Sequence, residues 1–306
     1  MLLGILALGP RSAAAQVFVE RGVEAGLTAA VHTTGVAVAD YDGDGDLDLY
    51  TVAASQHVDG QPDTYSRLFR NEGDGTFLDV TEVAGVRAPV FGFPDRYMGN
   101  RFGASWADFD SDGDPDLLIT QIGPEILFEN NGDGTFSDIS DLAGINRGAP
   151  PADTTETAGA TWLDYDRDGL LDVYLNNWNG PNRFYRNTGG EFEEVGIALG
   201  VADTSRTWTT MPLDANHDGW PDLYLANDFG PNALYLSQGG QSFTDATLEY
   251  RVGDEGHGMG LAVGDINGDL LLDLYVTNIA QTIYQNVLFV GLQGPPYEEV
   301  ASFLGV

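Results

Sequence analysis

Five nine-residue segments of this chain carry oxygen-bearing side chains at a fixed spacing. Position 1 is Asp40, Asp108, Asp164, Asp214 and Asp265, and position 3 is Asp42, Asp110, Asp166, Asn216 and Asn267. Position 5 is Asp44, Asp112, Asp168, Asp218 and Asp269, and position 9 is Asp48, Asp116, Asp172, Asp222 and Asp273. Alternating positions let several oxygens converge on one point while the backbone curls round it, and glycine at position 6 in four copies permits the sharp turn. Hard oxygen donors, with no cysteine or lysine in any segment and a histidine only at the variable position 4 of the fourth, His217, select Ca²⁺, which takes six to eight oxygens. Position 7 would offer its backbone carbonyl, so its side chain varies freely: Asp46, Asp114, Leu170, Trp220 and Leu271. An EF-hand begins the same way but needs Glu at position 12 between two helices. Position 12 here is Thr51, Ile119, Leu175, Leu225 and Val276, each in a strand-like run, which excludes it. The fifth segment departs from the pattern, with Gly268 at position 4 and Leu270 at position 6.

The competing reading is a salt-tolerant acidic surface. Against it, 20 of the 33 aspartates fall in these five segments and none of the 14 glutamates does. Simple solvation has no reason to choose aspartate over glutamate or to keep a register. The expectation is therefore four to five calcium ions with a structural role, because close-set carboxylates repel one another without a cation.

The 47 acidic residues against 13 basic ones give a formal net charge of −34, and every basic residue is arginine. Such a surface repels a phosphate backbone, which excludes nucleic acid and anionic lipid as partners. Disorder is also excluded, since 42% of residues are apolar and 11% aromatic. Cysteine is absent, so neither a disulfide framework nor a thiolate metal site exists. Residues 1–15 combine an apolar run from Leu2 to Leu8 with small residues, resembling a trimmed signal peptide, and no stretch is long enough to be transmembrane.

These loops need elements to hold them. The first aspartates stand 68, 56, 50 and 51 residues apart, the period of a large supersecondary unit. Short strand-like runs flank each loop, such as Gly103–Ala107 and Asp116–Thr120. A third run enters a glycine-rich turn and a fourth leaves it, as in Leu68–Phe77 and Leu127–Phe136. Asp-Gly between apolar runs is a hairpin signal. Four short strands per unit predict an all-β fold, a β-propeller of four-stranded blades with five repeats present in residues 16–306. Antiparallel blades would place the Asp loops and the glycine-rich turns on one face. Val17–Leu27 and Tyr297–Val306 both read as fourth-strand tails, six tails for five loops, which predicts truncation after Val306.

With turns such as Asn71-Glu-Gly-Asp-Gly-Thr-Phe77, the loops resemble FG-GAP/VCBS repeats, known from the integrin α propeller. Asp203-Thr-Ser-Arg-Thr-Trp-Thr-Thr210 and Gly258-Met-Gly-Leu-Ala-Val-Gly264 are most similar to the bacterial cartilage-acidic-protein (ASPIC/UnbV) family. The resemblance covers about Val17 to Val306. It implies an exported, calcium-stabilised ring of seven blades with positions 1, 3, 5, 7 and 9 as ligands. An ASPIC/UnbV domain usually follows in that family.

The face opposite the Asp loops carries the variable segments, where rigid scaffolds display recognition residues. Arg96, Tyr97, Arg101, Trp178, Arg206, Trp208 and Phe229 stand there among small polar residues, a composition suited to a protein or glycan surface. The alternative is that these aromatics fill gaps between blades. The four histidines share no spacing. His257, in a glycine-rich link, reads as a packing residue. No nucleophile elbow or metalloprotease motif is present. The sequence therefore points to an extracellular, periplasmic or cell-surface adhesion module binding a protein or glycan. A polysaccharide lyase or hydrolase, or a structural spacer, are the alternatives.

Overall fold

A computed structural model describes residues 19–27, 33–53, 65–88, 101–146, 155–279 and 285–301. Residues 1–15, His32, His57, Arg96, Tyr97 and the last five residues lie outside them. Five four-stranded antiparallel sheets follow one another along the chain, each in sequential strand order. The first strands are Thr33–Ala39, Arg101–Ala107, Glu156–Leu163, Thr207–Leu213 and Gly258–Gly264. The second are Asp48–Ala53, Asp116–Gln121, Asp172–Asn179, Asp222–Asn227 and Asp273–Asn278, so the position-9 aspartate opens each of them. Third strands are Arg67–Asn71, Ile126–Asn130, Arg183–Asn187, Ala233–Ser237 and Val287–Val290. The fourth, only two or three residues long, are Phe77–Asp79, Phe136–Asp138, Phe192–Glu194, Phe243–Asp245 and Glu298–Glu299.

These sheets are the blades of a propeller. The first strands of successive blades run side by side, and among the described residues the arc stays open between blades 5 and 1. Cores form between blades, because both faces of each sheet are apolar. In the second strand, Leu117 and Ile119 pack back towards blade 1, whereas Leu118 packs forward on blade 3. Val173 and Leu175 point back and Tyr174 forward in the same way. Period-two alternation thus supplies two apolar faces and leaves the polar residues to the loops.

Four blades end in a one-turn helix too short to show a helical period in the sequence: Thr81–Ala84, Ser140–Ala143, Gly196–Leu199 and Thr247–Tyr250. Each closes on a left-handed residue, Gly85, Gly144, Gly200 or Arg251. The chain then returns to the second strand of its own blade, where the Tyr174 hydroxyl donates to the Val201 carbonyl at 2.7 Å and Tyr224 to Val252 at 2.7 Å. The same tail touches the next blade. Ala25, ahead of blade 1, accepts the Phe77 N–H at 2.8 Å, and Tyr250 accepts that of Tyr297 at 2.9 Å.

Candidate metal centres and the opposite face

All five Asp loops share one hydrogen-bond scheme. The position-1 carboxylate accepts the N–H groups of positions 5 and 6, as Asp40 does from Asp44 at 3.1 Å and Gly45 at 3.0 Å. The position-5 carboxylate accepts the N–H of position 7, as Asp112 does from Asp114 at 2.9 Å. These bonds wind the loop into a tight coil that requires positive φ at both positions 4 and 6. Position 6 is mostly glycine, but position 4 holds Ser111, Arg167 and His217 at φ 60° to 63°. In the fifth loop Leu270 takes the glycine conformation at φ 70°. Its departure from the sequence pattern leaves the hydrogen-bond scheme intact, since Asp265 still accepts from Asp269 and Leu270.

Position 9 does more than its spacing suggests. One oxygen of Asp116 accepts the N–H of Phe109 in its own loop at 3.1 Å, and the other accepts that of Asn130 at 2.8 Å. Asp48, Asp172, Asp222 and Asp273 repeat both bonds. The carboxylate therefore clamps the first hairpin of a blade to the second. The third-strand asparagine extends the link to the preceding blade, with Asn130 Nδ2 donating to the Tyr41 carbonyl and Asn187 Nδ2 to that of Phe109. The glycine-rich turns lie against the Asp loops on the same face, as expected: a side chain on Gly73 would meet Asp46 and one on Gly132 would meet Asp114.

In the first three loops, carboxylate oxygens from positions 1, 3 and 9 come within 4.8 Å of one another: Asp40, Asp42 and Asp48; Asp108, Asp110 and Asp116; Asp164, Asp166 and Asp172. These groups can hold a metal ion. Burial pushes the position-9 carboxyls upward from the ordinary 3.8, to about 6 for Asp48 and about 7 for Asp116, Asp172 and Asp222. Backbone N–H donors oppose the shift, and neighbouring aspartates add to it. Burial also raises Asp42 and Asp110. Three crowded carboxylates partly removed from water fit a hard divalent cation, and the second oxygens of a carboxylate keep lone pairs for it beyond the backbone bonds. In the fourth and fifth loops Asn216 and Asn267 replace the position-3 carboxylate, which reduces the charge of the set.

On the opposite face the structure brings together residues as far apart in the chain as Trp178 and His257. The Arg206 guanidinium lies 4.4 Å over the Trp178 ring and 4.8 Å over Phe229. Trp178 and Trp208 are tilted neighbours at 6.2 Å, and Phe229 meets His257 edge-on at 4.9 Å. Asp228, overlooked in the sequence, organises the group: it accepts from Trp178 Nε1 at 3.0 Å and lies 3.3 Å from His257 Nδ1. Its signal was its place beside Phe229 in a loop of the variable face. Trp208 also touches Phe102, so part of the cluster fills the space between blades, while Phe229 is 51% exposed. Arg101 opens the first strand of blade 2.

The FG-GAP-like repeat family model matches residues 53–119, 108–175, 164–225 and 214–276, each stretch after the first running from one Asp loop to position 12 of the next. Cartilage acidic protein 1 of Homo sapiens is 30% identical over 172 residues, covering 54% of this chain and 24% of that protein. Its Xenopus tropicalis counterpart is 34% identical over 107 residues, covering 34% and 16%. The chain thus matches about a quarter or less of these relatives' length. Two solved structures share the fold alone. They are the V. cholerae biofilm matrix protein Bap1 (TM-score 0.50, 15% identity, 88% of this chain and 38% of that one) and BBS1N in complex with ARL6DN (TM-score 0.52, 10% identity, 88% and 68%). Its four matched repeats and the loops that bound them make this chain a member of the FG-GAP-like repeat family.

Proposed function

We propose that this chain is an exported calcium-stabilised propeller that binds an extracellular protein or glycan on the face away from its Asp loops. The observation that carries the reading is the Arg206 stack. Among the described residues its guanidinium has two aromatic neighbours and no carboxylate partner, in a chain of net charge −34. Arginine framed by tryptophan and phenylalanine at an exposed site is the composition of binding hot spots. Calcium, at four to five ions, belongs to the loops, with oxygens from positions 1, 3, 5 and 9 and the carbonyl of position 7 as ligands. Its contribution there is neutralisation of the crowded carboxylates, which appears as folding stability. The apolar Leu2–Leu8 run supports export, and the open arc of five blades accords with a seven-bladed ring.

The test is binding of the purified chain to panels of immobilised glycans and extracellular proteins, with Arg206→Ala and Trp178→Ala as controls. Saturable binding that both substitutions abolish, at unchanged melting temperature, supports the reading. Binding indifferent to both overturns the assignment of this face. Calcium is tested separately by elemental analysis and by thermal unfolding in millimolar calcium and in excess chelator.

A further inference from the structure

The Asp loops differ in how the outer oxygen of their position-5 carboxylate is used. In the first two loops, Asp44 and Asp112 engage one oxygen with the N–H of position 7, and the other has no internal donor among the described residues. In the third loop, the outer oxygens of positions 3 and 5 both face a single arginine, which donates a hydrogen bond to Asp168 and stands as an ion-pair neighbour of Asp166. Arg186 Nε lies 2.8 Å from Asp166 Oδ2, and its Nη2 lies 3.2 Å from Asp168 Oδ2. Arg186 is the third-strand residue immediately before the asparagine that meets the position-9 clamp. The corresponding residues are Arg70, Glu129, Leu236 and Val290. Arg70 turns instead to Glu72 at 2.8 Å, and the other three carry no positive charge. The third loop also lacks the position-7 carboxylate of the first two, having Leu170 there, and carries Arg167 at position 4.

We propose that Arg186 is the resident counter-cation of the third loop, which calcium must displace from Asp166 and Asp168. The inference rests on the calcium reading above. Two consequences follow from one contact. The third loop binds calcium more weakly than the first two, because the ion competes with a guanidinium already seated on two carboxylates. The same loop keeps its coil without metal, because part of its charge is neutralised from within the protein.

The experiment compares wild type with Arg186→Gln by chelator-competition titration of calcium and by thermal unfolding in excess chelator. The variant is expected to tighten one site about fivefold, the scale of a half-exposed ion pair, while melting at lower temperature in chelator and unchanged in saturating calcium. Adding Asp168→Asn should remove the tightened site and so identify it. If Arg186→Gln does not fold, Arg186→Lys keeps the charge with a single-point contact and should tighten the site by a smaller factor. Calcium binding with an isotherm and chelator melting temperature identical to wild type overturns the role of Arg186 and leaves the calcium reading standing. No bound calcium in wild type overturns both.

Discussion

The backbone N–H of Asn130 donates to Oδ1 of Asp116 at 2.8 Å, joining a loop to a strand end fourteen residues further on. Asp116 is fully buried and its second oxygen holds Phe109, so an amide in its place would turn an N–H₂ donor towards one of two N–H donors. Asp116→Asn should cost about 1–3 kcal/mol, measured by denaturant unfolding in saturating calcium. A loss within experimental error would show that the clamp contributes nothing beyond metal ligation.

The raised position-9 carboxyls fix the sign of a pH dependence. Their folded-state values lie above the ordinary 3.8, at about 6 for Asp48 and about 7 for Asp116, Asp172 and Asp222. Stability from such groups is present at low pH and is lost as pH rises through 6 to 7. In excess chelator the melting temperature should therefore climb as pH is lowered from 8 to 5. In saturating calcium the melting temperature should stay nearly level over the same range, since the ion already neutralises these oxygens and the unfolded carboxyls take up few protons above pH 5. Parallel curves in the two conditions would contradict the assignment of these carboxylates to the metal.

Leu270 occupies a left-handed conformation at φ 70° with its side chain 88% exposed. That geometry costs a branched residue about 1–2 kcal/mol, partly offset by the smaller chain entropy of leucine when unfolded. Leu270→Gly is expected to stabilise the chain by a few tenths to about 1 kcal/mol, read as an increase in the denaturant midpoint. Destabilisation would mean that the exposed leucine has a packing partner.

The buried Tyr174 hydroxyl donates to Val201 and accepts from Asn182 Nδ2 at 3.1 Å. Tyr174→Phe removes both bonds but leaves the Val201 carbonyl its Asp203 N–H and the Asn182 amide its Thr207 acceptor, so it should lower stability by only about 0.5–1.5 kcal/mol, without altering calcium stoichiometry by elemental analysis. A drop in bound calcium would show that the blade tails govern the loops on the other side of the sheet.

The blades, their strand order and the shared face of loops and turns were legible because each loop and each turn is a local pattern that recurs along the chain at the blade period. The one-turn helices were not, since four residues are too few to show a helical period. Positive φ at position 4 was hidden by Ser111, Arg167 and His217, which mask a backbone requirement that glycine advertises at position 6. The clamp role of Asp116 needed the partner strand in place. At the opposite face the sequence named Trp178, Arg206, Trp208 and Phe229 separately. Only the fold showed that they touch, and that Asp228 ties Trp178 to His257 beside them.

Because each tail rests on the blade that follows it, the array has a direction. Ala25 precedes its partner Phe77 in the chain, and Tyr250 precedes Tyr297. At these two junctions the fourth strand of a blade thus meets an edge supplied by the chain that precedes it. Removing a blade from the middle would break that relay at one point, whereas exchanging whole units between positions would preserve it.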